Sequence, residues 1–231
     1  MKTIIKVLLF ILTMVLLCQC EKDPEPEVTI PDNNFLNALI EQGVDTNGDG
    51  VISPAEAEVI TSLRVVLKFI SDMTGIEMFV NLETLLCYDN QLTSLDVSNN
   101  TALEQLDCEL NQLTSLDVSN STALIYLDCG ANQLTSLDIS KNIALKGLYC
   151  MHNQLTTLDI SNNTALEWLN CNYNQLTSLD VSNNTALVGL DLRGMPSLYK
   201  VCVWEMPFPP VGVSVNTTDS PNVYFTTDCS K

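Results

Sequence analysis

Basic residues are scarce in this chain, and histidine is nearly absent. Ten Lys and Arg stand against 28 Asp and Glu in 231 residues, a formal charge of −18. So acidic a chain does not seek nucleic-acid phosphates or an anionic membrane face. It suits solubility, cation binding or a basic partner. The one histidine, His152, excludes histidine-cluster metal sites and leaves any Ser-His-Asp or Cys-His mechanism a single residue to use. No nucleophile motif appears, so no catalytic residue is assigned and the chain is read as a non-enzyme.

What the chain has instead is repetition. Between Leu82 and Ala186 one pattern recurs five times with a period of 21 residues; one copy runs from Leu166 through Leu169, Cys171, Asn174, Leu176, Leu179 and Val181 to Ala186. A period of this length with the pattern L-x-x-L-x-C-x-x-N-x-L means a leucine-rich-repeat solenoid. Its expected architecture is mostly β: a right-handed coil with parallel strands on the concave face. Leu at positions 1 and 4 and Cys at position 6 point inward, because strand side chains alternate. The cysteine column Cys87, Cys108, Cys129, Cys150 and Cys171 is assigned to packing, since free cysteine behaves as a small buried hydrophobe and direct neighbours on parallel strands have poor disulfide geometry. The column Asn90, Asn111, Asn132, Asn153 and Asn174 is expected to satisfy backbone groups where each coil leaves its strand. The segment Gln-Leu-Thr-Ser-Leu-Asp-Val-Ser is too short and β-prone for an ordinary helix, so the convex side is expected to be extended.

The N-terminus carries an export signal. Lys2 and Lys6 precede the apolar run Ile4 to Leu17, which ends in Cys18-Gln-Cys20. This is a signal peptide rather than a stable span. A cysteine just after the run resembles a bacterial lipoprotein cleavage site. Cys20 is favoured over Cys18 for lipidation, because the acidic, proline-containing segment then begins the mature chain; secretion without a lipid is the alternative. Residues 1–20 are therefore a lipoprotein signal and 21–31 a flexible tether.

Residues 32–61 are expected to form a small helical N-terminal cap. Asp45-Thr-Asn47-Gly-Asp49-Gly50-Val51-Ile52-Ser53-Pro-Ala-Glu56 matches the twelve-position EF-hand loop. Calcium, a hard cation, wants about seven oxygens. Side chains of Asp45, Asn47 and Asp49, the Val51 carbonyl, Ser53 (directly or through water) and bidentate Glu56 would supply them. Phe35, Leu36, Leu39 and Ile40 have helical spacing before the loop. Ser53-Pro54-Ala-Glu56 has an N-cap, a proline at the first helical position and a capping-box glutamate. A lone loop of this kind suggests a structural calcium site rather than a sensor.

The repeat domain is placed at residues 62–201. Leu63, Val65 and Leu67 alternate like a first strand, and Ile70, Met73, Ile76, Phe79, Leu82 and Leu85 then recur every third position, which resembles the opening coil of internalin-like leucine-rich-repeat proteins. Residues 202–231 form the C-terminal cap. There Leu198, Val201 and Val203 repeat the second-half spacing one residue late, which puts Cys202 outside the core column and free to pair with Cys229, as an exported protein permits. Trp204 to Pro210 and Asn222 to Phe225 are expected to cover the core end.

Function should sit where otherwise identical coils differ. Position 3 holds Thr84, Gln105, Tyr126, Gly147, Trp168 and Gly189; position 5 holds Leu86, Asp107, Asp128, Tyr149, Asn170 and Asp191. Positions 7 and 8 add, among others, Glu109, Leu110, His152, Tyr173 and Arg193. All are assigned to the concave face, and the convex sequence barely varies. Tyr126 and Trp168, two strands apart, are expected to flank a gap of ~10 Å floored by Gly147. Tyr149, Asp128, Asn170, His152 and Tyr173 border it. Rings beside carboxylates and amides suit a sugar, a peptide side chain or a cation. Asp107 and Asp128 are neighbours that could share a proton, but on an open face they read as a solvated acidic strip.

The string Asn174 to Leu187 reads N-Q-L-T-S-L-D-V-S-N-N-T-A-L, and with the EF-hand-like segment before it, the chain from about residue 32 resembles the leucine-rich-repeat surface lipoproteins of Gram-negative bacteria. The resemblance implies a non-catalytic interaction protein of the cell envelope, outer membrane or cell surface, whose concave face binds a protein, peptide or glycan. A structural envelope lipoprotein that self-assembles or scaffolds other surface proteins is the alternative.

Overall fold

The structure, a computed structural model, describes residues 29–230. The expected signal peptide, Cys18 and the lipidation site Cys20 lie outside the described residues, as does most of the expected tether.

The described chain opens with helix α1 (Asn33–Glu41), buries Phe35, Ala38 and Leu39 from it, and passes through the loop to a single turn of helix, α2 (Pro54–Glu58). Asp32 starts α1: its Oδ1 accepts the N–H of Asn34 and of Phe35. Its Oδ2 accepts the N–H and hydroxyl of Ser71 and the N–H of Asp72, which ties the helix to the first coil. Burial pushes the Asp32 carboxyl up, but the bonds from Ser71, Phe35 and Asp72 outweigh it and hold the group below its ordinary range.

Eleven three-residue strands follow: β1 (Ser62–Arg64), β2 (Thr84–Leu86), β3 (Gln105–Asp107), β4 (Tyr126–Asp128), β5 (Gly147–Tyr149), β6 (Trp168–Asn170), β7 (Ser178–Asp180), β8 (Gly189–Asp191), β9 (Lys200–Cys202), β10 (Ser214–Asn216) and β11 (Tyr224–Thr226). The concave sheet has the order β1-β2-β3-β4-β5-β6-β8-β10, all parallel, and a convex sheet has the order β11-β9-β7. Pairing is in register by one repeat, so Leu85, Leu106, Leu127, Leu148, Leu169 and Leu190 stack in one line. This is a parallel β-solenoid of about eight turns. Earlier convex turns stay extended, joined by a bridge between Asp96 and Asp117.

The core runs the length of the stack. The leucine columns and the five cysteines are fully buried or nearly so, and the cysteines are free thiols. Asn90, Asn111, Asn132, Asn153 and Asn174 perform the role expected of them. Asn132, for example, donates to the carbonyls of Cys108, Cys129 and Gly130 and accepts the Leu113 N–H. A second ladder stands on the other side of the coil: Asn100, Ser121, Asn142, Asn163 and Asn184, all 0% exposed. Asn163 donates to the carbonyls of Ile139 and Asn142, and Asn184 repeats this one coil on, to Ile160 and Asn163.

Three details depart from the sequence-based expectation. Leu67 does not continue the first strand. It sits at φ 57° and is 60% exposed, as the first of a left-handed column that continues through Asp89, Leu110, Ala131, His152 and Tyr173. The chain must turn there so that the following asparagine can point inward. Position 8 is therefore an edge of the concave face rather than part of the strand. Finally, the stack does not stop near residue 201. β10 extends the concave sheet and β11 the convex one, so the C-terminal segment is itself a coil. Ser220 serves the ladder position that Met195 vacates, accepting the Met195 N–H and donating to the Leu192 carbonyl. Cys202 and Cys229 form the expected disulfide, with Cys202 buried on β9. Trp204, Phe208 and Phe225 pack together over the core end.

Candidate functional site

Parallel strands in register put position 3 and position 5 of every coil on the concave surface in two straight columns. Position 3 carries Tyr126 on β4 and Trp168 on β6, 45% and 47% exposed. The expected gap over Gly147 is not open. A Cβ on Gly147 would come within 2.7 Å of the Tyr126 ring, and one on Gly189 within 2.2 Å of Trp168. Both rings lean toward the C-terminal end, each over the glycine of the next coil. Tyr173 does the same over Gly194, at 2.3 Å. An aromatic residue followed 21 positions later by glycine, three times over, was a readable signal for these leaning rings. The depression consequently lies further toward the C-terminal end, over β6 and β8. It is lined by Tyr149, Trp168, Asn170, Gly189 and Asp191, together with Ser214 and Asn216 of β10. The last two come from outside the repeat and gave no signal.

The remaining predicted residues fall around this surface. Tyr149, on β5, and Asn170, on β6, are half-buried at position 5. His152 and Tyr173 lie on the left-handed edge and stack on each other, with centroids 4.4 Å apart and planes at 10°. They form a ridge beside the hollow rather than part of its wall.

Positions 5 and 7 are also where the charge collects. Asp107, Glu109 and Asp128 bring one oxygen each within 4.8 Å of one another. They are half-buried, so the solvated strip expected from sequence is not what forms. Burial pushes the Asp128 carboxyl up to about 7; the Gly130 N–H opposes this, and Glu109 and Asp107 add to it. Burial also raises Asp107, against the Glu109 N–H and Arg64. Glu109 rises through burial and the Asp107 charge, with His152 opposing. Asp191 behaves differently. Burial raises it too, but Arg193 binds it through Nε and Nη2 at 2.7–3.0 Å, and its carboxyl is held below the ordinary range. Glu109 and Arg193 were noted in the sequence only as variable residues, because nothing in a linear pattern tells which carboxylates will be compensated.

The N-terminal loop is the other candidate. Asp45 accepts the N–H groups of Gly48 and Gly50, Asn47 that of Asp49, and Asp49 that of Val51. Gly48 and Gly50 supply the left-handed turns, at φ 75° and 81°. Glu56 bridges the two ends of the loop. Its Oε1 accepts from Thr46 N–H, Thr46 hydroxyl and Asn47 N–H, and its Oε2 from Ser53 N–H and hydroxyl. The Ser53 N–H, against burial and with Thr46 and the Ser53 hydroxyl assisting, holds the carboxyl down to about 2. The donor set is all oxygen, as calcium requires. Among the described residues, however, Asp45, Asp49 and Glu56 are not one of the groups whose oxygens lie within 4.8 Å of one another. Taking a cation would therefore require Glu56 to exchange its hydrogen bonds.

Comparison with known proteins places the fold. Residues 139–174 match the LVIVD repeat family. Internalin J of Listeria monocytogenes serotype 4b (strain F2365) is 42% identical over 71 residues, which is 31% of this chain and 8% of that protein. The solved functional domain of InlJ from Listeria monocytogenes, described as including a cysteine ladder, is 35% identical, with 87% of this chain and 46% of that one covered and a TM-score of 0.68. Internalin C2 of Listeria monocytogenes shares the fold at 19% identity, with 89% and 100% covered and a TM-score of 0.60. The chain spans less than half of the InlJ domain. It has internalin-like leucine-rich-repeat relatives.

Proposed function

We propose that this chain is a cell-surface, non-catalytic recognition module that binds a partner, a protein before a peptide or glycan, on the concave face of its solenoid. The observation that carries this reading is the concentration of side-chain differences on one face. The columns that build the core and the convex side repeat with few exceptions, such as Ser121, Lys141 and Ile143, whereas positions 3, 5, 7 and 8, and position 2 just before each strand, change; positions 3 and 8 hold the exposed Tyr126, Trp168 and Tyr173. Solenoids use such extended concave surfaces for binding, and the internalin-like relatives accord with a protein partner. Acylation at Cys20 would tether the module to the envelope. The test is a screen of the full chain, prepared without its leader, against surface and matrix proteins and arrayed glycans. A partner is expected whose binding falls at least about tenfold in Tyr126→Ala/Trp168→Ala. Retention of binding in that variant would move the site off the concave face, and self-association with no partner would favour the structural envelope reading.

Calcium at the N-terminal loop belongs to the same proposal. Asp45, Asn47, Asp49, the Val51 carbonyl, Ser53 and Glu56 would hold it, and the bound cation would replace the hydrogen bonds that now close the loop with direct ligation. The preformed turns at Gly48 and Gly50 support this. Calcium is expected to raise the melting temperature in a concentration-dependent way, adding about 3 kcal/mol of stability at a hundredfold excess over Kd, with Asp45→Ala insensitive. A melting temperature indifferent to calcium and EDTA would remove the calcium site from the proposal.

A further inference from the structure

The last concave coils show what a position 5 aspartate does when a cation is supplied. Asp191 on β8 is bound by the guanidinium of Arg193, two residues further on, and by Asn172 Nδ2 at 3.2 Å. Asp107 stands in the same column with Glu109 at the place Arg193 occupies, and Asp128 stands there with Gly130. The result is three half-buried carboxylates within 4.8 Å. Of the basic residues, Arg64 acts on Asp107, but it already bonds the Tyr88 hydroxyl at 2.9 Å and lies over that ring. Beside the cluster, on the same strand face as Asp128, Tyr126 leaves nearly half its surface open.

We propose that the concave face docks a basic segment of a partner protein, and that an arginine of this segment enters between Asp107, Glu109 and Asp128 as Arg193 enters against Asp191. The inference rests on the recognition reading above and names the chemistry of its partner. Like charges this close and this shielded from water repel strongly. Sugar hydroxyls would leave that repulsion in place, and a guanidinium removes it. The planar fork of arginine, with five donors, can serve more than one carboxylate at once and stack on a neighbouring ring. The exposed rings of Tyr126 and Trp168 then offer apolar contact to the residues flanking the arginine, which a free ion would not use. Asp107, Glu109, Tyr149 and the buried thiols Cys108, Cys129 and Cys150 are the titratable groups that interact with Asp128, and His152 acts on Glu109 beside it. Because the Asp128 carboxyl is pushed up to about 7 by burial and by Glu109 and Asp107, and arginine binds the ionised form, binding should tighten about tenfold at most from pH 6 to pH 8.

The probe is the peptide acetyl-GRGRG-amide, titrated into the full chain beside a peptide in which citrulline replaces arginine. The arginine peptide is expected to bind and the citrulline peptide to fail. Asp128→Asn/Glu109→Gln should weaken binding at least about tenfold and flatten its pH dependence. Asp117→Asn/Asp138→Asn, which removes the same charge from the convex side, should leave it unchanged. The cluster variant relieves repulsion, so it should fold at least as well as the parent, and its melting temperature checks this. Equal weakening by the convex variant would reduce the effect to general acidity and overturn the assignment. So would equal binding of citrulline, or displacement of the peptide by calcium acting through Asp128 and Glu109, which would make the cluster a metal site. A natural partner lost in Tyr126→Ala/Trp168→Ala but indifferent to Asp128→Asn/Glu109→Gln would leave concave recognition standing and the arginine assignment overturned.

Discussion

Asp128 carries a measurable cost in the folded chain. Its folded pKa, about 7, lies above the ordinary carboxylate value, so between the unfolded value and about 7 the folded state binds more protons than the unfolded one. Stability therefore falls as pH rises through that window. The expected penalty above pH 7 is on the order of 2 kcal/mol once solvent screening is allowed for. Asp128→Asn should be more stable than the parent at pH 8 and about equal to it at pH 4, as read by thermal melts across pH. A parent whose melting temperature does not decline between pH 5 and pH 8 would contradict this. Glu56 has the opposite sign. Its folded pKa is depressed to about 2, so its contribution is fully present above the unfolded value and is lost as pH falls from about 4.5 toward 2. At this scale the sequence named Asp128 and Glu56 as site residues. It could not foresee their opposite shifts, because one is buried, with carboxylates facing it from a neighbouring coil, and the other faces hydrogen-bond donors within its own loop.

Elements here are single coils, and what joins them is a set of polar ladders inside an apolar column. The ladder from Asn90 to Asn174 was legible because its residue never changes. The second, from Asn100 to Asn184, escaped notice because it lies in a run of similar polar residues, and because Ser121 interrupts it. Ser121 makes one long bond, 3.5 Å from its hydroxyl to the Asn100 carbonyl, where each asparagine makes two bonds of 2.8–3.1 Å. Ser121→Asn is expected to complete the rung and raise stability by about 1 kcal/mol. Asn163→Ala removes one of two donors from each of the Ile139 and Asn142 carbonyls, which keep the N–H groups of Asn142 and Leu145, and should cost about 1–2 kcal/mol. Urea titrations of both variants would decide; a Ser121→Asn variant less stable than the parent would mean the interior there has closed around serine.

For the whole molecule, the solenoid's open ends matter most. The N-terminal end is closed by α1, through Phe35 and Leu39 and the clamp of Asp32 on Ser71. The C-terminal end is closed by a degenerate coil whose strands β10 and β11 extend both sheets, with the disulfide holding residues 27 apart. Removing that link by Cys202→Ser/Cys229→Ser should lower stability by about 3 kcal/mol. In a structure of nearest-neighbour coils, the loss should appear first as fraying at β10 and β11, with hydrogen exchange in β2 to β5 little changed. Uniform loss of protection along the stack would instead mean that the coils melt as one unit.

Period, core columns, the disulfide partners and the variable face were all determined by the sequence alone. Each follows from a residue type repeating, or failing to repeat, at a fixed interval, and a solenoid turns sequence interval directly into spatial adjacency. Tertiary structure alone decided which way the rings lean, and so where the concave depression lies. It also decided which acidic side chains are paired and which are left to repel one another. Those outcomes depend on distances between side chains of different coils and on how far water is excluded between them, quantities that no interval along the chain encodes.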